Sequence, residues 1–498
     1  MKRLFVFVFA VVFATVCFGE IKYIFYMIGD GMGPNEVLAA EMYQAEMEGK
    51  IGRVPLLMTS FPYTGFATTF SASNGITDSA AAGTALATGH KTNNGCLGVD
   101  KDSLPVASIA AKLHEAGWPV GIMTSVAIDH ATPGAFYAHV VKRSNYYEIG
   151  TQLAESGYEF FGGAGFHKPD LGENVFPKGP NLYDYCEEHG YTFAHGYADA
   201  QTKLKAEKLI LVQAEDGIDR TKKAESLPYA IDRQEGDLTL AQITETAISF
   251  LAPKGKFFMM IEGGKIDYAG HSCDGATSIQ EVLDFDKAIA VVYEFYKAHP
   301  SETLIVVTAD HETGGMALGN HKYTLDLQVL QNQKSSSWEI NQALKGLYSE
   351  FGSKVKWEQV KSLLQNQLGF YDQVAITSEE EAKLKAAYKN MLKGKGKTEK
   401  TLYNDISELG GTAVHLLNKK AKLGWTSHAH TAADVPVFAI GVGAEDFTGW
   451  YDNTLIMQKI MNLVQKPLLR RPSYRIRNEL FRQHGHSQTN QTDSLPRQ

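Results

Sequence analysis

The chain has 498 residues, of which 44% are hydrophobic and 21% are charged. This balance is typical of a globular protein and excludes a disordered, collagen-like or disulfide-framework chain. The 48 Lys and Arg residues against 56 Asp and Glu residues give a net charge of -8, which argues against a nucleic-acid-binding surface. An anionic substrate would therefore have to be held by local cations.

The amino-terminal segment has the pattern of a secretory signal peptide. Lys2 and Arg3 precede an uninterrupted apolar run from Leu4 to Ala14, and small or neutral residues follow up to Gly19. This order predicts a signal peptide over residues 1–19. A membrane anchor is the alternative, but the run is shorter than the roughly 20 residues that span a bilayer. We therefore expect an exported protein, periplasmic or extracellular, without a membrane span.

The chain contains four cysteines. Cys17 lies in the predicted signal peptide, and its lipidation would be another way to anchor the protein. The remaining three, Cys96, Cys186 and Cys273, allow at most one intrachain disulfide and leave one thiol over.

Short apolar segments alternate with helical patterns along the chain. Strands are predicted at Ile21–Ile28, Val120–Thr124, Leu209–Gln213, Phe257–Glu262, Thr303–Thr308 and Val435–Val442. Helices are predicted at Leu238–Leu251, Ser278–Tyr296 and Thr454–Val464. Near-continuous apolar strands that alternate with helices indicate a mostly parallel sheet covered on both faces, that is, a three-layer α/β/α sandwich.

The strand signal disappears between His321 and Trp425, where helical patterns dominate. One of these helices has a capping-box start at Thr377–Glu380. We therefore predict a helical insertion or cap over about residues 321–425. It would lie between an α/β core at residues 20–320 and a return to that core at residues 426–466. The Arg- and Gln-rich tail at residues 467–498 is expected to be loosely ordered.

Polar side chains follow three of the predicted strands. Asp30 comes just after the first strand, Glu262 ends the fourth, and Asp310 and His311 follow the fifth. Any one of these alone would more often be a turn or cap residue. Because the carboxyl ends of parallel strands meet at one edge of a sheet, three such positions indicate an active site there.

Three further residues have the chemistry of metal ligands. Asp267 and His271 stand at i, i+4 spacing, which places them on one face of a helical turn, and His430 precedes the last predicted strand. Imidazole combined with carboxylate suits zinc, whereas an oxygen-only set suits magnesium. The candidates are numerous enough for more than one metal ion.

Ser79 is the candidate nucleophile. It lies in Thr77–Ala85, where a polar start precedes small, helix-compatible residues, so Ser79 should occupy a helix N-terminus that favours an anion. The alternative is an ordinary serine near a helix start. Serine needs a base or a metal ion to become a nucleophile. The sequence contains no Gly-x-Ser-x-Gly elbow, so metal activation is the simplest mechanism.

Several motifs, taken in order, resemble those of bacterial alkaline phosphatase. They are Ile28–Gly33, Thr77–Ala81, Asn93–Asp100, His130–Pro133, Thr308–His311 and His430–Thr431. The resemblance covers nearly the whole chain apart from the signal peptide, the helical insertion and the tail.

The resemblance implies a secreted, metal-dependent phosphomonoesterase that hydrolyses small phosphate monoesters through a phosphoserine intermediate. Ser79 would be the nucleophile, Arg143 would clamp two phosphate oxygens, and Asp78 would hold Arg143 in place. Dimers are common in the family, so a homodimer is also an expectation.

The resemblance further implies two Zn²⁺ ions and one Mg²⁺ ion per chain. The implied ligands are Asp267, His271 and His430 for one zinc ion; Asp30, Ser79, Asp310 and His311 for the other; and Asp30, Thr132 and Glu262 for magnesium.

Three positions depart from the enterobacterial version of the family pattern. His130 stands where that version has Asp, Tyr268 where it has Lys, and Thr313 where it has His. His130 and Tyr268 are expected beside the metal ligands without being ligands themselves. His130 would retune the third site, which leaves its ion open between magnesium and zinc. Thr313 is not a predicted ligand.

Two other functions remain as alternatives. A phosphodiesterase or another hydrolase of the same superfamily would have less use for Arg143, because that clamp fits a doubly charged terminal phosphate. A sulfatase would require a Cys/Ser-x-Pro-x-Arg motif, which Cys96–Gly98 does not match. A non-catalytic zinc- or phosphate-binding protein would have no need of Ser79.

The Tyr268 position gives a first prediction. With no lysine there, a cation near the phosphate is missing, so product phosphate should bind weakly and leave fast. Introducing Tyr268→Lys should lower the inhibition constant of inorganic phosphate, measured in a steady-state hydrolysis assay. An inhibition constant that does not fall would contradict the assignment of this position.

Overall fold

The computed structural model describes residues 20–171, 179–213, 226–320, 323–403 and 405–465. The predicted signal peptide at residues 1–19, with Cys17, and the predicted tail at residues 467–498 lie outside the described residues.

Strands and helices alternate along the described chain. The strands are β1 (Tyr23–Gly29), β2 (Tyr63–Thr68), β3 (Val120–Thr124), β4 (Phe160–Gly163), β5 (Tyr191–His195), β6 (Lys208–Val212), β7 (Phe257–Gly263), β8 (Thr303–Ala309), β9 (Glu312–Thr313), β10 (Ala317–Leu318), β11 (Thr398–Lys400), β12 (Asp405–Ser407), β13 (Leu423–Gly424), β14 (His430–Thr431), β15 (Val435–Gly441) and β16 (Gly449–Asp452). The helices are α1 (Pro34–Met47), α2 (Ser79–Thr88), α3 (Ile109–Glu115), α4 (Ala131–Gly134), α5 (Tyr146–Ser156), α6 (Leu182–Glu188), α7 (Gly196–Thr202), α8 (Leu240–Leu251), α9 (Lys265–His271), α10 (Gly275–Ala298), α11 (Ser337–Phe351), α12 (Trp357–Leu368), α13 (Ser378–Leu392), α14 (Glu408–Ala421) and α15 (Thr454–Gln465).

A 10-stranded sheet forms the centre of the fold, in the order β16-β2-β15-β8-β1-β7-β3-β4-β6-β5. Its pairings are parallel except for those of β15, which runs antiparallel to β2 and to β8. The sheet is flanked by helices, and α10 packs against α1, α8 and α9 while α2 packs against α4 and α15. The predicted α/β fold with a mostly parallel central sheet is confirmed.

The middle of the sheet accounts for the burial of the core. Every residue of β7 and β8 is buried, and so are six of the seven residues of β1. Because parallel strands covered on both faces must be apolar on both faces, their sequences are nearly continuous apolar runs. The order β8-β1-β7-β3 also brings four parallel carboxyl ends side by side.

The predicted strands correspond to β1, β3, β6, β7, β8 and β15, and β3 has the predicted bounds. Four strands of the sheet were missed: β2, β4, β5 and β16. β4 is only four residues long and ends in two glycines, while β5 and β16 are the edge strands. Short, Gly-containing or edge strands lack the apolar run that identifies a central strand.

Residues 323–425 carry α11, α12, α13 and α14 together with the β11–β12 hairpin. The segment is closed at its base by β10, which pairs with β13. Buried side chains such as Leu344 and Leu384 belong to the same apolar cluster as the core strands. The helices therefore pack onto the α/β core, and the division into insertion and core stays a prediction.

Two smaller expectations concern thiols and membranes. Cys96, Cys186 and Cys273 are all free, so the one disulfide that the sequence allowed is not formed in this structure. Among the described residues, the helices are too short or too polar to cross a bilayer.

Candidate active site

The parallel strands bring three carboxylates together at one edge of the sheet. Asp30 directly follows β1 and Asp310 directly follows β8, whereas Glu262 is the penultimate residue of β7. The pairing register sets Gly29 opposite both Gly263 and Ala309, so these carboxylates start from neighbouring positions. All three are fully buried.

Asp267, His271 and His430 form one cluster of ligand atoms. His271 Nε2 lies 3.1 Å from His430 Nε2, and Asp267 Oδ1 lies 3.4 Å from the first and 3.5 Å from the second of these atoms. The short helix α9 supplies Asp267 and His271 one turn apart, as their spacing predicted. These distances would allow one ion to contact all three, but His311 shares the same space: ligand atoms of Asp267, His311 and His430 also lie within 4.8 Å of one another.

Asp30, Asp310 and His311 form a second cluster. His311 Nε2 lies 3.4 Å from Asp30 Oδ1 and 3.3 Å from Asp310 Oδ2. Ser79 Oγ is 3.2 Å from the same His311 nitrogen. The candidate nucleophile thus lies beside the second set of candidate metal ligands.

The third cluster differs from the expected ligand set. Ligand atoms of Asp30, His130 and Glu262 lie within 4.8 Å of one another. Thr132 Oγ1 donates to Asp30 Oδ2 over 3.4 Å, and Thr124 donates to Glu262. His130 was expected beside the ligands, yet its ring reaches the same space as the two carboxylates. Its position after β3, at the carboxyl edge of the sheet, is the signal that could have identified it.

Unpartnered oxygens test whether these residues fit metal ions. Asp30 Oδ1, Glu262 Oε1, Asp267 Oδ2 and Asp310 Oδ2 are buried and form no hydrogen bond. Burying an anionic oxygen without a partner is costly, and native structures rarely contain such atoms without a reason. Each cluster contains at least one of these oxygens, so the donor set fits bound cations.

The electrostatics of the clusters point the same way. Burial raises the pKa of Asp30 well above its ordinary value, and the neighbouring carboxylates of Asp310, Asp267 and Glu262 raise it further. Burial likewise raises the pKa of Asp310 to about 7 and that of Glu262 to about 8. Burial also acts to raise the pKa of Asp267, but the adjacent histidines outweigh it and hold this pKa well below its usual range.

Ser79 is the first residue of α2, as predicted. Its neighbour Asp78 caps the helix by accepting a hydrogen bond from the Ala81 N–H over 3.0 Å. The same carboxylate accepts a hydrogen bond from Arg143 Nη1 over 3.1 Å. Asp78 therefore fixes the helix start and the guanidinium together, next to the free N–H groups of α2.

Tyr403 is a site residue that the sequence did not reveal. Arg143 Nη2 donates to its hydroxyl over 3.2 Å, and its ring stacks on Tyr268 with 3.7 Å between ring centroids. The Tyr268 ring is buried and is covered by this second aromatic ring. Tyr403 lies 260 positions after Arg143, between β11 and β12, and no local pattern indicates such a contact.

Neighbouring residues hold the histidine-bearing segments. Thr313, the position where the related pattern has histidine, donates from Oγ1 to Asp267 Oδ1 over 2.5 Å. Glu312 accepts a hydrogen bond from Thr431, which joins the segments after His311 and His430. Thr313 thus orients one candidate ligand without being one.

A cavity of about 630 Å³ opens onto this site. Its lining includes the buried residues His271, His430 and Thr77 and the exposed residues Ile76 and Leu402. A substrate could reach the first cluster from this side.

The sheet and the clusters at its edge define an α/β protein with a candidate multi-metal centre beside a helix N-terminus. The family model described as alkaline phosphatase matches residues 21–159 and 222–466, and the chain belongs to the alkaline phosphatase family. The resemblance seen in the sequence motifs is confirmed, and the protein is an enzyme of this phosphomonoester-hydrolase family.

Relatives agree with this assignment over most of the chain. Alkaline phosphatase 4 of Bacillus subtilis (strain 168) is 32% identical over 447 residues, which is 87% of this chain and 87% of the relative. Alkaline phosphatase 3 of the same organism is 29% identical over 456 residues, which is 90% of this chain and 89% of the relative. The crystal structure of a cold-active alkaline phosphatase from the psychrophile Shewanella sp. has a TM-score of 0.73 at 29% identity, covering 89% of this chain and 100% of the other.

The carboxylate clusters give a prediction for the metal-free protein. The pKa values of Asp310 and Glu262, about 7 and about 8, lie above their ordinary values of 3.8 and 4.5. Such groups stabilise the folded state below the ordinary pKa, and this stability is lost as the pH rises through the raised pKa. The unfolding temperature of the chelator-treated protein should therefore fall between about pH 5 and pH 8.

Adding Zn²⁺ and Mg²⁺ should remove this fall, because bound cations stabilise the carboxylates. Glu262→Gln is the matched control and should show a shallower decline without metal. A metal-free unfolding temperature that rises over the same interval would contradict the electrostatic description.

Proposed function

We propose that the protein hydrolyses small phosphate monoesters through a phosphoserine intermediate on Ser79. The observation that carries this proposal is the position of Ser79 Oγ, 3.2 Å from His311 Nε2 and at the start of α2. A serine at a helix N-terminus, next to a cluster of carboxylates and imidazoles, suits attack on an anionic phosphorus centre.

Two Zn²⁺ ions and a third ion would occupy the clusters. Asp267, His271 and His430 would hold one zinc ion, and Asp30, Asp310 and His311, with Ser79, would hold the other. When bound, the metal ions would lower the pKa of the serine hydroxyl and offset negative charge on the reacting oxygens.

The third ion would lie with Asp30 and Glu262. Thr132 is the ligand implied by the family resemblance, and His130 is within reach of the same two carboxylates. An all-oxygen set favours magnesium, whereas an imidazole nitrogen favours zinc. We propose Mg²⁺ as the ordinary occupant, with His130 shifting the preference towards zinc.

The protein's own groups would then carry the reaction. Arg143 would hold two oxygens of the phosphoryl group with its planar fork, while the N–H groups of α2 face the same group. Ser79 would displace the alcohol in line, and the alcohol would leave past His271 and His430 into the cavity of about 630 Å³. A water molecule would displace Ser79 in a second step. Because each displacement inverts the configuration at phosphorus, the two together would retain it.

Arg143 favours monoesters over diesters. The hydrogen bond to Asp78 orients the guanidinium towards two phosphate oxygens, and a terminal phosphate group offers two anionic oxygens where a diester offers one.

We also propose that the protein is exported, because residues 1–19 have a signal-peptide pattern. We further propose that it forms a homodimer, as alkaline phosphatases commonly do.

The metal dependence is testable with 4-nitrophenyl phosphate at alkaline pH. Chelator treatment should abolish hydrolysis, and Zn²⁺ with Mg²⁺ should restore it, because the three clusters fit cations. If the zinc-loaded protein is inactive on this substrate but hydrolyses bis(4-nitrophenyl) phosphate, the protein is a diesterase. No turnover of either substrate would indicate a binding protein.

The nucleophile is tested by Ser79→Ala. Monoester hydrolysis should fall by roughly 10³-fold or more, because removing a nucleophile leaves only the catalysis due to binding and charge stabilisation. Ser156→Ala is the matched control, since Ser156 ends α5 outside the candidate site and donates to the Leu153 carbonyl. Phosphate release by the Ser79 variant at near the unmodified rate would refute the phosphoserine mechanism.

A further inference from the structure

Arg143 has an anchor on each of its two terminal nitrogens. Nη1 donates to Asp78 Oδ2 over 3.1 Å, and Nη2 donates to the Tyr403 hydroxyl over 3.2 Å. Each terminal nitrogen carries two N–H groups, so Nη1 keeps one N–H besides its contact with Asp78. Nη2 also lies 3.3 Å from His130 Nε2, and a phosphate oxygen would replace that contact while the one with Tyr403 stays. A guanidinium fixed at both ends is prepared for bidentate binding before the phosphate arrives.

Tyr403 is itself held by aromatic packing. Its ring is nearly parallel to that of Tyr268, with 17° between the ring planes and 3.7 Å between their centroids. Tyr268 is buried and directly follows the candidate ligand Asp267. The Tyr403 hydroxyl also lies 3.4 Å from His130 Nε2, which in turn lies 3.3 Å from Arg143 Nη2. The hydroxyl therefore has a fixed place beside the guanidinium.

The contact joins distant parts of the chain. Arg143 and Asp78 belong to the α/β core, whereas Tyr403 lies between β11 and β12, in the helix-rich segment formed by residues 323–425. Leu402, the preceding residue, lines the cavity that opens at His271 and His430. The same short stretch thus borders the entrance of the site and contacts its candidate phosphate clamp.

We propose that Tyr403 is a positioning residue for Arg143 and so contributes to the preference for phosphate monoesters. This inference rests on the proposed function, because it assigns Arg143 to the phosphate. The hydroxyl restrains the Nη2 side of the guanidinium as Asp78 restrains the Nη1 side. Without it, the guanidinium would have to be ordered when the substrate binds, and the affinity for a dianionic phosphate group would fall.

A purely structural role for Tyr403 makes a different prediction. If the side chain only fastens the helix-rich segment to the core, the stacked ring supplies the contact and the hydroxyl is dispensable. Replacing Tyr403 by Phe keeps the ring and removes only the hydroxyl. Tyr403→Phe therefore separates the two roles, and its unfolding temperature should stay close to that of the unmodified enzyme.

The first experiment compares Tyr403→Phe with Tyr388→Phe in the metal-loaded full chain. Tyr388 lies on α13 in the same helix-rich segment, and its hydroxyl donates to the Val355 carbonyl. Tyr403→Phe should weaken inorganic phosphate binding, measured by calorimetry and as an inhibition constant, by about 3- to 10-fold, the range for one lost hydrogen bond. Tyr388→Phe should leave phosphate binding unchanged.

Substrate choice gives a readout that a structural role would not move. Tyr403→Phe should lower kcat/KM for 4-nitrophenyl phosphate by a similar factor, while the low activity on bis(4-nitrophenyl) phosphate should change by less than about 2-fold. The ratio of monoester to diester activity should therefore fall. Equal losses on both substrates would overturn the proposal.

A double-mutant cycle tests whether Tyr403 acts through Arg143. Once Arg143→Ala has removed the guanidinium, adding Tyr403→Phe should cause no further loss, because coupled residues are not additive. The same factor in both backgrounds, or a Tyr403→Phe enzyme that matches the unmodified one, would refute the inference. If the unmodified enzyme hydrolyses no monoester at all, the proposed function fails instead, so the two failures are distinguishable.

Discussion

Carboxylates buried without enough partners are the constraint on which the rest of the site depends. Asp30, Glu262, Asp267 and Asp310 are fully buried at one edge of the sheet, and each has an oxygen without a hydrogen bond. Carboxylates at such short distances repel one another strongly in a poorly polarisable environment, and removing each of them from water costs free energy. Cations held among them would offset this repulsion and give each unpartnered oxygen a contact. The imidazoles of the clusters supply the nitrogen ligands that such cations can use.

The parallel sheet explains why these groups meet. The order β8-β1-β7-β3 places four carboxyl ends in a row, and each delivers polar residues to the same edge. The serine at the start of α2 and the guanidinium of Arg143 then complete a surface suited to a phosphoryl group. The helix-rich segment adds Tyr403, so the site draws on residues outside the α/β core.

Much of this could be predicted from the sequence because its signals are local. Continuous apolar runs identified β1, β7 and β8, and the polar residues at their ends identified Asp30 and Asp310. The strands β4, β5 and β16 were missed because they are short or lie at an edge of the sheet and lack a continuous apolar run. The ligand reach of His130 and the contact of Tyr403 with Arg143 depend on how distant segments pack, which no single window of sequence records.

The most direct test of the metal centre is anomalous X-ray diffraction from crystals of the zinc-loaded protein, recorded at the zinc absorption edge. We expect one zinc peak among Asp267, His271 and His430, and a second among Asp30, Asp310 and His311. Zinc bound only elsewhere, or an active enzyme with no metal peak in either cluster, would contradict it.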